Sequence, residues 1–422
     1  MKYSHPLWRT LRSLEGNQKA CVFLEPLWAI PYNLFLPFAS IYMAAIGLQD
    51  KQIGMVVSLG LGMQLIWGLF SGAIVNKYGR RRMMLLFGLL SWTVPCLLWA
   101  TAKGYPFFIL AVFFNSMQQV VNNSFSCLIV EDGHSEKLVN IWAILNLVGL
   151  FSGFISPLVG LCIDRFTLVP TMRLVYIVSM GFMSIKFILQ YRMSTESAEG
   201  ISCIKKCKGQ PLASIAFGGL YEFFIALKQS RLLLCVILGI VLTCYNNIQA
   251  TFWPLFITKA YGVRYALLSV FPLVTSITSI GVYLLVSPHI KIRGGTIRLP
   301  LLAGMGLHML GLMALLLFLP MGALWTIFFD VFCEALSQAV LGPLLEAMMS
   351  IVIPGKERAR INSLIFAVML LASTPVVGIA GYLSQVNRTL PMIMNLCLIV
   401  IGIFISLCVI HTFEAQQIEA CK

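Results

Sequence analysis

The sequence predicts an all-α membrane protein with twelve transmembrane helices in two pseudo-symmetric six-helix bundles, and three observations predict it. The 422 residues are 59% hydrophobic and 11% charged, with mean hydropathy +0.88, more apolar surface than one water-soluble core could bury. The apolar residues fall in runs of about twenty or more, the length of a helix that crosses roughly 30 Å of hydrocarbon; a closed barrel would instead show alternating strands of about ten residues. Features of the first half also return in the second at nearly one offset. Pro37 recurs as Pro254, Gly47 as Gly262, and Ser156-Pro157 with Gly160 as Thr374-Pro375 with Gly378, displaced by 217, 215 and 218 residues. The basic segment Gly72 to Arg82 is likewise echoed by Pro288 to Gly295. Such a shared offset marks an internal duplication.

The twelve runs are 20–46, 52–76, 83–102, 105–130, 139–163, 171–192, 232–259, 265–287, 298–319, 322–350, 359–384 and 390–412. The first carries Pro26, Pro31 and Pro37, which predict a broken or kinked helix, because proline lacks the N–H that a helix interior needs. Residues 1–192 form the N-terminal bundle, 193–231 a linker and 232–422 the C-terminal bundle. The linker starts as a loop, and its second part, Leu212 to Lys228, has apolar residues at near-helical spacing, suited either to the membrane surface or to a partly ordered tether. The start, Met1 to Lys19, is basic without a small-residue cleavage site and reads as a retained tail instead of a signal peptide.

The net charge is +14. With alternate loops on opposite sides, 22 of the 30 Lys and Arg fall on the side of the N-terminus and 7 on the other, with Lys186 inside a span. By the positive-inside rule both termini are cytoplasmic in a cytoplasmic, inner membrane. The charge is thus a topology signal and gives no reason to invoke nucleic acid. Twelve cysteines are scattered, mostly within spans, where a thiol acts as a small apolar group. Cys203 and Cys207 sit in the linker among Lys205, Lys206 and Lys208, without the further ligands a metal would need. No nucleotide-binding glycine loop, His-Glu-x-x-His spacing or Gly-x-Ser-x-Gly turn occurs, so neither an enzyme nor a cofactor is expected.

The loop after the second run reads Gly72-Ala73-Ile74-Val75-Asn76-Lys77-Tyr78-Gly79-Arg80-Arg81-Arg82. With twelve spans, two similar halves and a long central linker, it makes the chain resemble the major facilitator superfamily over essentially its whole length. That family's loop has glycine, three residues, aspartate, a basic residue, one residue, glycine, then basic residues. Gly72, Lys77, Gly79, Arg80 and Arg81 match, and Asn76 stands where the aspartate is usual. The resemblance implies a secondary transporter whose loop latches one conformation. Physically, Gly72 would permit close helix approach and Gly79 a tight turn.

The resemblance also implies that the first, fourth, seventh and tenth spans line a central cavity, and in this sequence those four are the polar ones. The fourth carries Asn115, Gln118, Gln119, Asn122 and Ser126, spaced for one face of a helix. The tenth has Asp330, Glu334, Ser337 and Gln338; the seventh has Tyr245, Asn246, Asn247, Gln249 and Trp253; the first has Glu25, Trp28, Tyr32 and Asn33. Tyr32, Asn33, Asn115, Gln118, Gln119, Asn122, Asn246, Asn247, Gln249, Trp253 and Gln338 are the expected solute contacts. A carboxylate at membrane depth is costly unless it is protonated, paired or facing water, by about 2.5 to 3.5 kcal/mol on insertion scales. Glu25, Asp330 and Glu334 are therefore the expected proton-coupling groups, Glu25 with the alternative of pairing with Lys19 or another loop cation. His308 is expected as a hydrogen-bonded packing residue. Inner-gate salt bridges are expected among Glu131, Asp132, Glu136 and Lys137, and among Glu346, Lys356, Glu357 and Arg358.

Drug exporters of this superfamily carry an arginine in the fourth span, absent here, and a glycine-rich proline motif in the fifth. The fifth span here has Gly149, Gly153, Pro157 and Gly160, with Ser156 before the proline where glycine is usual. The expectation is a monomer in the lipid bilayer that moves a small-molecule solute with protons, or sodium, and outward in preference to inward. A lipid or glycolipid flippase of the same fold and a non-transporting sensor stay open as alternatives.

Overall fold

The computed structural model describes residues 6–131, 135–212, 230–285, 297–352 and 358–420. The Pro288 echo, most of Leu212 to Lys228, and the side chains of Asp132, Glu136, Lys356, Glu357 and Arg358 lie outside what is described. No strand occurs among the described residues. Eleven helices are long and apolar enough to cross a membrane, from Gly16–Ala45 to Leu390–Thr412. The fourth expected run, 105–130, folds as two consecutive helices, Tyr105–Asn115 and Gln118–Val130, each short by itself. They part at Ser116, whose hydroxyl donates 2.6 Å to the Phe113 carbonyl, a local bond that competes with regular helix geometry.

The prolines set the irregularities of the other spans. In the first span helical bonding is interrupted at Glu25 before Pro26, and a 3-10 turn at Leu36–Phe38 surrounds Pro37. Wider π turns lie beside Pro95, at Leu89–Thr93 in the third span, and beside Pro254, at Phe256–Ala260 in the seventh. Each accommodates a ring that has no N–H to give.

The described contacts divide the chain into two units: Met1–Leu48 with Leu59–Gly218, and Gln49–Ser58 with Gly219–Lys422. Within the first, the sixth span (Leu168–Met193) packs on the first (Gly16–Ala45) and third (Arg80–Ala100), the third packs on the fourth, and the fifth (Asn140–Phe166) on the first. Within the second, the same pattern recurs six spans later. The twelfth (Leu390–Thr412) packs on the seventh (Arg231–Ala260) and ninth (Arg298–Met321), the ninth on the tenth (Trp325–Met349), and the eleventh (Leu364–Val386) on the seventh. The duplication read from the sequence thus reappears as a duplicated set of helix pairings.

In lipid, tails are as apolar as side chains, so close packing and polar bonds carry helix association. Cys235, Leu238, Met305, Leu341, Met348 and Val409 form such a packed cluster in the second unit, and Ile74, Val75, Met83 and Val120 in the first. The stretch Gln49–Ser58 belongs to the second unit for a stated reason: Gly54 meets Gly381 so closely that a Cβ there would lie 2.6 Å from the Gly381 Cα. Asp50 adds a 2.8 Å ion pair with Arg388 and accepts from Ser384 at 2.8 Å.

Candidate functional site

The polar residues of the seventh and tenth spans form a ladder inside the second unit. Residues 330, 334 and 338 recur every four positions and share one face of the tenth helix. Trp253 donates its indole N–H to Asp330 at 2.8 Å, and Gln249 donates to Glu334 at 3.1 Å. Gln338 donates to Asn246. The numbers rise along the seventh span as they fall along the tenth, so the rungs join antiparallel helices. A fourth member comes from the twelfth span: Asn395, fully buried, donates to the Gln249 carbonyl oxygen at 3.1 Å. Gln249 is thereby fixed at both ends of its amide. Asp330 is 1% exposed, and neither Asp330 nor Glu334 has a cation partner among the described residues.

Asn395 was not among the expected residues, although it is the one amide in the apolar run 390–412. That isolation was its signal. Asn247 does not join the ladder; its backbone carbonyl accepts from Thr251 at 2.8 Å. His308 is 1% exposed and packs its ring 4.5 Å from that of Tyr245, but neither nitrogen has a hydrogen-bond partner among the described residues. It is a packing residue without the expected hydrogen bond.

In the first unit the expected face of the fourth span is not continuous. The break at Ser116 sets Asn115 apart, and its amide donates to the Ser91 carbonyl of the third span at 2.9 Å. Gln119 pairs with Gln64 of the second span at 3.2 Å. Asn122 is exposed, and the neighbouring Asn123 donates to Ser71 at 3.2 Å. The side chain of Gln118 is partly buried and has no hydrogen bond to another described residue. Asn33 turns back on its own helix and donates to Ala29 O at 2.9 Å. Tyr32 and Trp28 stack at 4.8 Å, and both meet Trp92 edge-on.

Among the described residues Glu25 pairs neither with Lys19 nor with a loop cation. Its carboxylate lies 3.2 Å from Lys186 Nζ in the sixth span. The Lys186 ammonium, itself 4% exposed, also lies 5.1 Å over the Phe125 ring and 4.9 Å over Phe187. An ion pair between aromatic faces satisfies a charge that lipid would otherwise penalise. The sequence showed Lys186 only as a basic residue inside an apolar run.

The signature loop is anchored within its own unit. Gly79 has φ +93°, the left-handed region that glycine enters freely, which turns the second span into the third. The Arg80 guanidinium, 2% exposed, donates to Glu131 at 2.9 and 3.0 Å. Ser197 of the linker donates to the same carboxylate. Glu196, also in the linker, accepts from the backbone N–H groups of Arg80 and Arg81 at 2.8 and 3.1 Å, filling donors that a helix start leaves unpaired. Asn17 closes the arrangement with a reciprocal pair to the Thr195 backbone, at 3.0 and 2.9 Å.

These contacts bear on Asn76, Gly72 and Glu131. The side chain of Asn76, inside the helix Asp50–Tyr78, has no hydrogen bond to another described residue. Gly72 is not held by close backbone approach, since a Cβ would meet Asn123 at an ordinary 3.6 Å. Glu131 pairs with the loop arginine, and Lys137 donates to the Ser13 carbonyl at 3.3 Å. A second acid that meets the loop, Glu196, comes from the linker, where the family signature gives no reason to look. Among the described residues no cluster of His, Cys, Asp or Glu could hold a metal, and the described cysteines are free thiols.

A duplicated set of apolar helices, with polar and charged side chains bonded within each half, defines a multi-pass membrane protein. The sequence matches the Major Facilitator Superfamily over residues 28–374, and the chain belongs to that family. Among solved structures it is similar to a peptide transporter of the POT type in complex with sulfate, at 13% identity and TM-score 0.70, over 97% of this chain and 98% of that one. It is similar to a POT family transporter in complex with 5-aminolevulinic acid, at 13% identity and TM-score 0.71, over 96% and 99%. The nucleoside transporter NupG, in a mutant form, is similar at 14% identity and TM-score 0.67, over 94% and 99%. No match was found among curated proteins.

Proposed function

We propose that this chain is a secondary active transporter that moves a small organic solute by alternating access and couples that movement to protons at Asp330 and Glu334. One observation carries the reading. The two carboxylates lie one helical turn apart on the tenth span, each bonded to a neutral donor of the seventh, Trp253 or Gln249, with no cation beside them among the described residues. Of the ladder's side chains only these two readily exchange a proton, and each exchange weakens or strengthens the bond its carboxyl accepts and gives or removes a donor. The amides of the same ladder offer donors and acceptors to a polar solute. In the first unit, Tyr32 with Trp28, the Gln119–Gln64 pair and Asn122 are the proposed solute contacts, and Glu25, held by Lys186, is the remaining candidate coupling site.

Export is the direction we propose, supported by Gly149, Gly153, Pro157 and Gly160 of the fifth span. The lysine and arginine asymmetry supports cytoplasmic termini in an inner membrane. The test is solute-dependent proton movement in proteoliposomes, screened with peptides, nucleosides and amphiphilic cations, for the wild type, Glu334→Gln and Asp330→Asn. Proton movement that needs both carboxylates supports the proposal. Equal movement in both variants removes the ladder from coupling and moves attention to Glu25.

A further inference from the structure

A cavity of about 420 Å³ opens where the second, third and sixth spans meet the linker, lined by Lys77, Tyr78, Arg81, Arg82, Tyr191 and Glu196. It lies wholly in the first unit, and the transport reading makes no use of it. Three of these side chains are cations and one is an acid. The acid is already engaged, because both Glu196 oxygens accept from the backbone N–H groups of Arg80 and Arg81. The cations have only neutral partners. Lys77 Nζ donates to the Gln210 carbonyl at 2.8 Å. Arg81 uses Nε for the Tyr191 carbonyl at 2.7 Å and stacks 4.1 Å from the Tyr191 ring, which fixes its plane and leaves its terminal nitrogens without a described partner. Arg82 is exposed and has no described polar partner.

We infer that this cavity binds a phosphate-bearing anion, with the headgroup of an anionic phospholipid as its occupant. A guanidinium held in plane matches two phosphate oxygens at once. Lys77 and Arg82 add charge, and the one lining acid, Glu196, is directed to the Arg80 and Arg81 N–H groups. The position suits a headgroup. These cations sit at the ends of membrane spans, beside tyrosines of which Tyr78 is 46% exposed, and basic pockets between helix ends recognise lipid phosphates. A soluble phosphate ester offers the same chemistry without acyl chains, so the test must separate the two.

The full chain, purified in detergent and stripped of lipid, is titrated with short-chain phosphatidylglycerol and with phosphatidylcholine, and bound lipid is counted by native mass spectrometry. The expected result is selective binding of phosphatidylglycerol that weakens about tenfold in the double variant Lys77→Gln with Arg82→Gln. Neither residue contributes a described ion pair, so an unchanged melting temperature should accompany the loss. Inorganic phosphate and glycerol phosphate are added as competitors. Resistance to both at millimolar concentration identifies the lipid as the source; displacement by either supports the phosphate site with a soluble occupant. Phosphatidylglycerol binding that equals phosphatidylcholine binding, or that is unchanged in the double variant, overturns the inference.

Discussion

Trp253 gives its one polar hydrogen to Asp330 across 2.8 Å, in a place where both side chains are buried. Indole can only donate, and a carboxyl accepts whether ionised or protonated, the ionised form more strongly, so the rung joins two helices of the second unit and its strength follows the charge on Asp330. Replacing Trp253 with Phe keeps an aromatic ring and removes the donor. The expected cost is about 1 to 3 kcal/mol for a buried acceptor left unpaired, seen as a lower melting temperature. Asp330→Asn in the same background should recover part of that loss, because a neutral amide is cheaper to leave unpaired than a carboxylate.

The pairing of Arg80 with Glu131 makes a sharper stability prediction. Removing one partner strands a nearly buried charge, which costs about 3 to 5 kcal/mol. Glu131→Gln should therefore destabilise the protein strongly, and Arg80→Gln to a similar degree, while the double variant should fall well short of the sum. A thermal double-mutant cycle in detergent measures this coupling. An additive double variant would mean that the pair contributes no mutual stabilisation.

Glu25 and Lys186 allow the same logic to distinguish structure from coupling. Lys186→Met leaves Glu25 without its counter-charge, and Glu25→Gln together with Lys186→Met removes both charges at once. The double variant should be the more stable of the two, as judged by the monodisperse fraction recovered after heating. Exchange of the two residues, Glu25→Lys with Lys186→Glu, should restore stability in part, because the Phe125 and Phe187 rings are placed to receive a cation at residue 186.

Gly79→Ala should loosen the linker. The new methyl would need a backbone at φ +93° and would lie 2.8 Å from a Glu196 oxygen, so the carboxylate must leave the Arg80 and Arg81 N–H groups or the turn must open. We expect a loss of about 1 to 2 kcal/mol and faster labelling of Cys203, which is only partly exposed when the linker is docked. Glu196→Ala should speed the labelling similarly without the backbone strain. Unchanged labelling in both variants would mean that Glu196 does not hold the linker.

How much of this was legible in the sequence follows from what each feature depends on. Spans and kinks are local, so runs of apolar residues and Pro26, Pro31 and Pro37 announced them. The ladder was half legible: period-four polar residues on the tenth span and Gln249 and Trp253 on the seventh were visible, but which rung meets which depends on how the two helices align. Partnerships over long separations were not legible. Glu25 finds Lys186 across 161 positions and Arg80 finds Glu131 across 51, and neither spacing obeys a periodicity. The break at Ser116 was hidden as well, because a side chain that competes for its own backbone leaves the hydropathy of the run unchanged. Glu196 looked like part of a solvated loop until the turn at Gly79 brought the start of the third span to it.

The central claim is that Asp330 and Glu334 link proton movement to solute movement, and the most direct measurement pairs two assays on one preparation. Proteoliposomes containing the wild type, Asp330→Asn or Glu334→Gln are tested with a solute identified in the proton-movement screen. Solute exchange is measured with no pH gradient, and solute accumulation with an imposed one. The account predicts that both variants keep exchange within about threefold of wild type, since a neutral amide preserves the rung's acceptor, while gradient-driven accumulation falls to the level of empty liposomes. Accumulation that survives in both variants would contradict it.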